Sequence, residues 1–284
     1  RKVLAHGWGA LVSPLSFMCY GSQGGQDRWV IASAANASRY YVDLAANDAE
    51  CLSNTVRLER EHGWRGLCIE PNPKYAVHLA QRRACRLMQA AVASDERDVD
   101  FWMRDARGGI VDSGGVDSIR ARAGVVSRLR TRRLESLLEE ANAPSVIEYL
   151  SLDVEGHEEE ALPDGFPWNR YTFLLLSIEL PPPSLNARLF SAGYLFARNA
   201  LSYQVHDTLY VHRSHPRAAT IASNWSFVQM PAHCNHQSAG PPLPFCPGRN
   251  RFYCCAYRRH PANGTTRYAG WQHWRASDPL GVVT

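Results

Sequence analysis

No G-x-G-x-x-G fingerprint occurs in this 284-residue chain, and no glycine lies between Tyr40 and His62. A bound pyrophosphate needs close backbone approach, for which glycine is preferred, so a nicotinamide enzyme is disfavoured. No uninterrupted apolar run reaches transmembrane length. Val3–Gln26 lacks Lys, Arg, Asp and Glu, but its glycines, proline and polar residues make it a poor span. Nor is there a long block of one charge: 31 basic residues face 27 acidic ones, a net +4, and the two kinds are interleaved. That balance gives no basic stripe for nucleic acid. The densest basic run, Arg128–Arg133, is short and reads as a solvated helix start. No Cys-x-x-Cys pair and no internal repeat is apparent. With 45% hydrophobic and 20% charged residues, the composition is that of a globular protein, long enough for one large domain plus a tail.

What is present centres on Tyr40–Asn72. An apolar run, Tyr40-Tyr41-Val42, ends on Asp43, and a turn of small and polar residues follows, Ala45–Ala49. An amphipathic segment comes next, with Leu52, Val56 and Leu58 among polar residues. A second apolar run, Leu67-Cys68-Ile69, then ends on Glu70. Strand, tight turn, helix and strand with a terminal acid form the first half of a nucleotide-binding α/β unit. An acid closing the second strand can accept both hydroxyls of a ribose. A ligand with ribose and adenine but no phosphate, such as S-adenosylmethionine, tolerates the missing glycines. An ordinary βαβ unit, whose Asp43 and Glu70 merely cap or pair, is the plainer alternative.

The α/β alternation continues. Pro73 can open a helix running to about Arg83. Leu87–Val92 reads as a third strand, closed by Ser94-Asp95, and Val99–Met103 alternates like a short strand. Gly108, Gly109, Gly114 and Gly115 mark a mobile loop, the expected lid. Arg132–Ala141 is expected to be helical. Val146–Val154 and Tyr171–Leu180 are near-continuous apolar runs, as in parallel strands covered on both faces. After a helix at Leu185–Ala192, Tyr194–Tyr203 and Thr208–His212 complete a seven-stranded sheet as an antiparallel pair. Asp43, Glu70, Asp95, Asp153 and Glu179 all fall at strand ends, where open α/β sheets place their ligands.

Tyr41-Val-Asp-Leu-Ala-Ala-Asn-Asp48, Leu52-Ser-Asn-Thr55, Cys68-Ile-Glu-Pro-Asn-Pro73 and Leu152-Asp-Val-Glu-Gly-His-Glu158 together resemble the FkbM family of S-adenosylmethionine-dependent methyltransferases. Ser22–Asp27 resembles that family's upstream Ser-Gln segment, with an extra glycine. The likeness runs from about Ser22 to Ser214. It implies a Rossmann-like seven-stranded methyltransferase sheet with helices on both faces, and beyond its reach the sequence itself shows a Cys-rich C-terminal extension. Glycine is usual in the family where Ala45 stands, and alanine replaces it without strain only at negative φ.

The resemblance also distributes roles. Asp43 and the backbone of Ala45–Asn47 would hold the methionine end of the cofactor and Glu70 its ribose. Asn72 would orient Glu70 or touch adenine. Asp95 would meet adenine, unless it is simply a loop acid. Asp153, Glu155 and His157 would lie beside the transferred methyl. Methyl transfer to a hydroxyl needs alignment and removal of one proton. Asp153 or His157 could be the base, and an exposed helix start is the plainer role for His157. Asp153 with Glu179 could instead hold Mg²⁺ and acidify the hydroxyl.

Eight cysteines, four of them within Cys234–Cys255, and three Asn-x-Ser/Thr triplets at Asn36, Asn224 and Asn263 favour a secretory chain, in the Golgi lumen or outside the cell. The chain opens on Arg1 rather than Met, so a signal peptide or membrane anchor could have preceded it. The expected organisation is a lead-in over 1–39, the methyltransferase domain over 40–214, and a Cys-, Pro- and His-rich extension over 215–284. Disulfides are expected to staple the extension, with a zinc site at His233, Cys234 and His236 as the rival reading. The expected acceptor is a hydroxyl of a glycan or other small molecule, and no nucleic-acid partner is expected. The alternative is an inactive fold serving as a structural or glycan-binding subunit of a larger assembly.

Overall fold

The computed structural model describes residues 20–103, 108–111, 125–199, 207–222, 226–228 and 273–275. In chain order its elements begin with α1 (Gln26–Ser33), β1 (Tyr40–Leu44), α2 (Val56–His62), β2 (Arg65–Ile69), α3 (Pro73–Arg82) and β3 (Arg86–Met88). There follow β4 (Ala91–Val92), β5 (Asp98–Met103), β6 (Gly109–Val111), β7 (Val125–Arg132), α4 (Leu134–Glu140) and β8 (Val146–Leu152). The remainder are α5 (Glu158–Ala161), β9 (Thr172–Glu179), α6 (Pro183–Ser191), β10 (Tyr194–Asn199), β11 (Asp207–His212), α7 (Ala218–Ala222), β12 (Ser226–Val228) and β13 (His273–Arg275).

Seven strands form one sheet in the order β3-β2-β1-β8-β9-β11-β10. The five from β3 to β9 pair in parallel, and β11 runs antiparallel to both its neighbours, β9 and β10. Successive residues of a strand face opposite sides, and β1 shows the consequence. Val42 and Leu44 join an apolar cluster with α4 and α6, whereas Tyr41 joins a second one with Trp29 and Val30 of α1, Leu58 of α2 and Leu79 of α3. Gly66 permits this packing, because a Cβ there would meet the Tyr41 ring at 2.5 Å. Ala218 and Ala222 of α7 belong to the same cluster, so the packed domain continues beyond residue 214.

One buried charge ties the lead-in to the sheet centre. Glu148 of β8 is fully buried, and its carboxylate accepts hydrogen bonds from four successive backbone N–H groups, those of Ala35, Asn36, Ala37 and Ser38, at 2.7–3.2 Å. A disulfide joins Cys68 of β2 to Cys85, just before β3. The cysteines of the extension, Asn224, Asn263, Gly114 and Gly115 lie outside the described residues.

Two sequence expectations are corrected. Leu87–Val92 is two short strands rather than one, broken at Gln89–Ala90, and β4 leaves the main sheet to pair with β7. Arg128–Arg132 is strand, not a helix start. It lies in a second sheet of order β4-β7-β5-β6, where Arg128 and Arg130 pair across the ladder with Asp100 and Asp98. Arginines two apart point to one face, which suits a strand with a solvated side and not a helix. Thr131 faces inward, fully buried, and donates its hydroxyl to the Asp95 carbonyl.

Candidate active site

A hollow of about 1030 Å³, open mouth included, lies at the carboxyl ends of β1, β2 and β8. Asp43, Ala45, Asn47, Glu70, Asn72, Asp153, Glu155 and His157 all line it. Glu179 and Asp95 do not. Glu179 stands just outside and hydrogen-bonds Asp153. Asp95 lies on the surface, with 61% of its side chain exposed, and pairs with Arg97. The break after β3 carries it away from the sheet edge, and Ala91 and Val92 line the hollow in its stead.

The turn after β1 is pinned by β2. The N–H groups of Ala45 and Ala46 both donate to the Ile69 carbonyl, at 2.9 and 3.1 Å. The turn requires φ of +65° at Ala45 and +52° at Asn47, so Ala45 stands in the left-handed region where glycine is at ease. Leu52 and Glu155 have positive φ too, at +58° and +57°, and both line the hollow. Residues held in sparsely populated backbone regions cluster at functional sites.

Glu70 ends β2 with both carboxylate oxygens engaged. One accepts from the Asn47 N–H and the other from the Asn72 N–H, each at 2.8 Å. Burial pushes its carboxyl up to about 7, and these two bonds oppose the rise. Asn72 also caps α3, its side chain accepting from the Lys74 N–H ahead of Pro73. The residue thus orients Glu70 and starts the helix together.

Asp43 rests on a buried polar network. Its carboxylate accepts from the Thr55 hydroxyl, which in turn accepts from the Arg83 guanidinium. Arg83 also donates to Tyr41 and Ser53 and pairs with Glu59 at 3.2 Å. Burial is the main cause of the raised Asp43 carboxyl, which the Thr55 bond and the Arg83 charge oppose.

Several acids crowd the ends of β8, β9 and β11. Burial raises Asp153, and burial with the Asp153 charge raises Glu179 well above the carboxylate range. The two therefore share a proton and titrate as a pair. Glu158 and Asp207, neither expected from sequence, are also buried and pushed up to about 7. Glu158 accepts from the N–H groups of Val154 and Gly156 and so shapes the turn that presents Asp153. Oxygens of Asp153, Glu158 and Glu179 lie within 4.8 Å of one another, a set that could hold a hard cation. Asp207 accepts from the Gln26 side chain at 3.0 Å, which fixes the Ser22–Asp27 segment beside the hollow, where Gln23 lines it.

Among the described residues the lining includes four carboxyl groups, Asp43, Glu70, Asp153 and Glu155, and no Lys or Arg. Phe101 and Ile110 of the second sheet form an apolar wall that sequence reading did not anticipate. Gly108, from the expected lid, also lines the hollow. A hollow of this kind suits a cationic or neutral ligand carrying hydroxyls and an apolar ring.

A family model described as the methyltransferase FkbM domain matches residues 43–196. No curated protein matches the chain.

Proposed function

The chain belongs to the FkbM methyltransferase family, and from that premise we propose that the hollow binds S-adenosylmethionine and that the enzyme methylates a hydroxyl of a glycan or glycosylated molecule. The observation that carries this reading is the gathering of Asp43, Glu70 and Asp153 around one hollow at the carboxyl edge of a mainly parallel sheet. The strand order, with the single reversed strand β11 next to the edge, supports a Rossmann-like description.

The chain's own groups fit such a ligand. Glu70 keeps lone pairs for the two ribose hydroxyls, and Asn47 and Asn72 hold it in place. Phe101, Ile110 and Val92 offer an apolar wall to adenine. Asp153 lines the hollow and has a buried oxygen without a hydrogen-bond partner. When bound, the cofactor supplies a methyl group on a sulfonium, electrophilic without further activation. Asp153 would take the proton of the acceptor hydroxyl, and Glu179, hydrogen-bonded to it, would stabilise the pair by sharing its own proton.

The Cys68–Cys85 disulfide and the exposed Asn36 triplet support a secretory or extracellular location. The test of the reading is calorimetric titration with S-adenosylhomocysteine. Saturable binding is expected. No heat and no thermal shift at millimolar ligand would favour the second reading, a structural or glycan-binding subunit, for which the strained Ala45 is the supporting observation.

A further inference from the structure

Asn54 sits directly before the Thr55 that holds Asp43, and it is among the residues that line the hollow. Its amide nitrogen donates to the Ser151 hydroxyl at 2.9 Å. Ser151 lies opposite Asp43 in the β1–β8 register, so the carboxamide is fixed over the seam between these strands. With the nitrogen anchored, the carboxamide oxygen is removed from solvent and has no hydrogen-bond partner. A buried acceptor left in that state is destabilising until a donor reaches it.

We propose that the Asn54 carboxamide oxygen accepts a hydrogen bond from the α-ammonium of the bound adenosyl amino acid, an assignment that rests on the S-adenosylmethionine reading above. The direction of the ligand follows from the strand order. Glu70 ends β2 and the Phe101–Ile110 wall belongs to the second sheet, so ribose and adenine extend to that side. The amino-acid end then falls toward the β1–β8 seam, where Asn54 stands. Its ammonium is the cationic N–H donor the ligand carries at that end, and it enters a hollow whose charged lining groups are acids. The chain segment that positions Asp43 thus also reads the amine, through adjacent residues.

The experiment compares two ligands on the full chain by calorimetry: S-adenosylhomocysteine, and the 3-carboxypropyl thioether of adenosine, which keeps the carboxylate and lacks the amine. Asn54→Leu should weaken S-adenosylhomocysteine by about 10- to 100-fold, the range for a hydrogen bond to a charged group, and leave the deaminated analogue within about twofold. The unaltered protein should itself prefer S-adenosylhomocysteine to the analogue by about tenfold or more. This second comparison decides the matter if Asn54→Leu does not fold. Equal losses for both ligands, or no preference in the unaltered protein, would overturn the Asn54 contact while leaving the cofactor reading intact. Binding of neither ligand to the unaltered protein would overturn both.

Discussion

Replacing Ala45 by glycine should stabilise this protein, although glycine is normally the destabilising choice. Ala45 holds φ at +65° because its N–H and that of Ala46 both reach the Ile69 carbonyl. A left-handed conformation costs a residue with a Cβ about 1–2 kcal/mol. Glycine removes that strain, but it loses more chain entropy on folding, about 0.4–1 kcal/mol. The net expectation for Ala45→Gly is a gain of about 0.5–1 kcal/mol, or roughly 1–4 °C in melting temperature. Ala46 supplies the control. It is not left-handed and is 4% exposed, so Ala46→Gly forfeits both chain entropy and a buried methyl, a loss of about 1–2 kcal/mol. Thermal and urea unfolding of the two variants, followed by circular dichroism, should give opposite signs. If Ala45→Gly lost stability as Ala46→Gly does, the backbone strain assigned to this turn would be wrong.

Four other outcomes are expected. Glu70 ionises only near 7, so affinity for S-adenosylhomocysteine should rise as pH passes upward through that value, and Glu70→Gln should flatten the profile; a flat wild-type profile removes Glu70 from the ribose. The same shift acts on stability. A folded value above the ordinary 4.5 means stability present at low pH and lost as pH rises from about 4.5 to 7, worth about 3 kcal/mol for Glu70, and the difference between the unaltered protein and Glu70→Gln in urea titrations at pH 5 and 8, without ligand, isolates it from Glu158 and Asp207. Asp153→Asn should reduce turnover by about 100-fold or more with little change in cofactor affinity, and retained turnover would relieve Asp153 of the base role. Chelation by EDTA should leave turnover within about twofold, because proton transfer is assigned to the carboxyl pair; loss reversed by added Mg²⁺ would turn Asp153 and Glu179 into metal ligands.

The parts legible in sequence are those where one periodicity dominates. Val146–Leu152 and Thr172–Glu179 are apolar on successive residues because both faces are covered, and their identity as central strands followed from that alone. The second sheet was hidden by its arginines. Arg128 and Arg130 look like a charge run until Asp100 and Asp98 are seen opposite them, and that pairing is a fact of register. A continuous third strand would put Asp95 on the sheet edge, whereas the chain turns away at Gln89–Ala90. Asp207 carried no local signal, since its partner Gln26 lies far away in the chain, whereas Glu158 closes the Leu152–Glu158 motif and is held by N–H groups within it. The 17-residue separation of Cys68 and Cys85 matches no pairing motif, and the bond depends on α3 folding back along β2.

The grip of Glu148 on residues 35–38 has a bearing on how the chain comes into being. Peptide groups more than a hundred positions upstream wait for this one anion, so the corner between the first helix and the first strand stays open until the middle of the polypeptide has been made. Until then those four N–H groups have only water as their acceptor, and docking of the Glu148 carboxylate replaces it and fixes the corner.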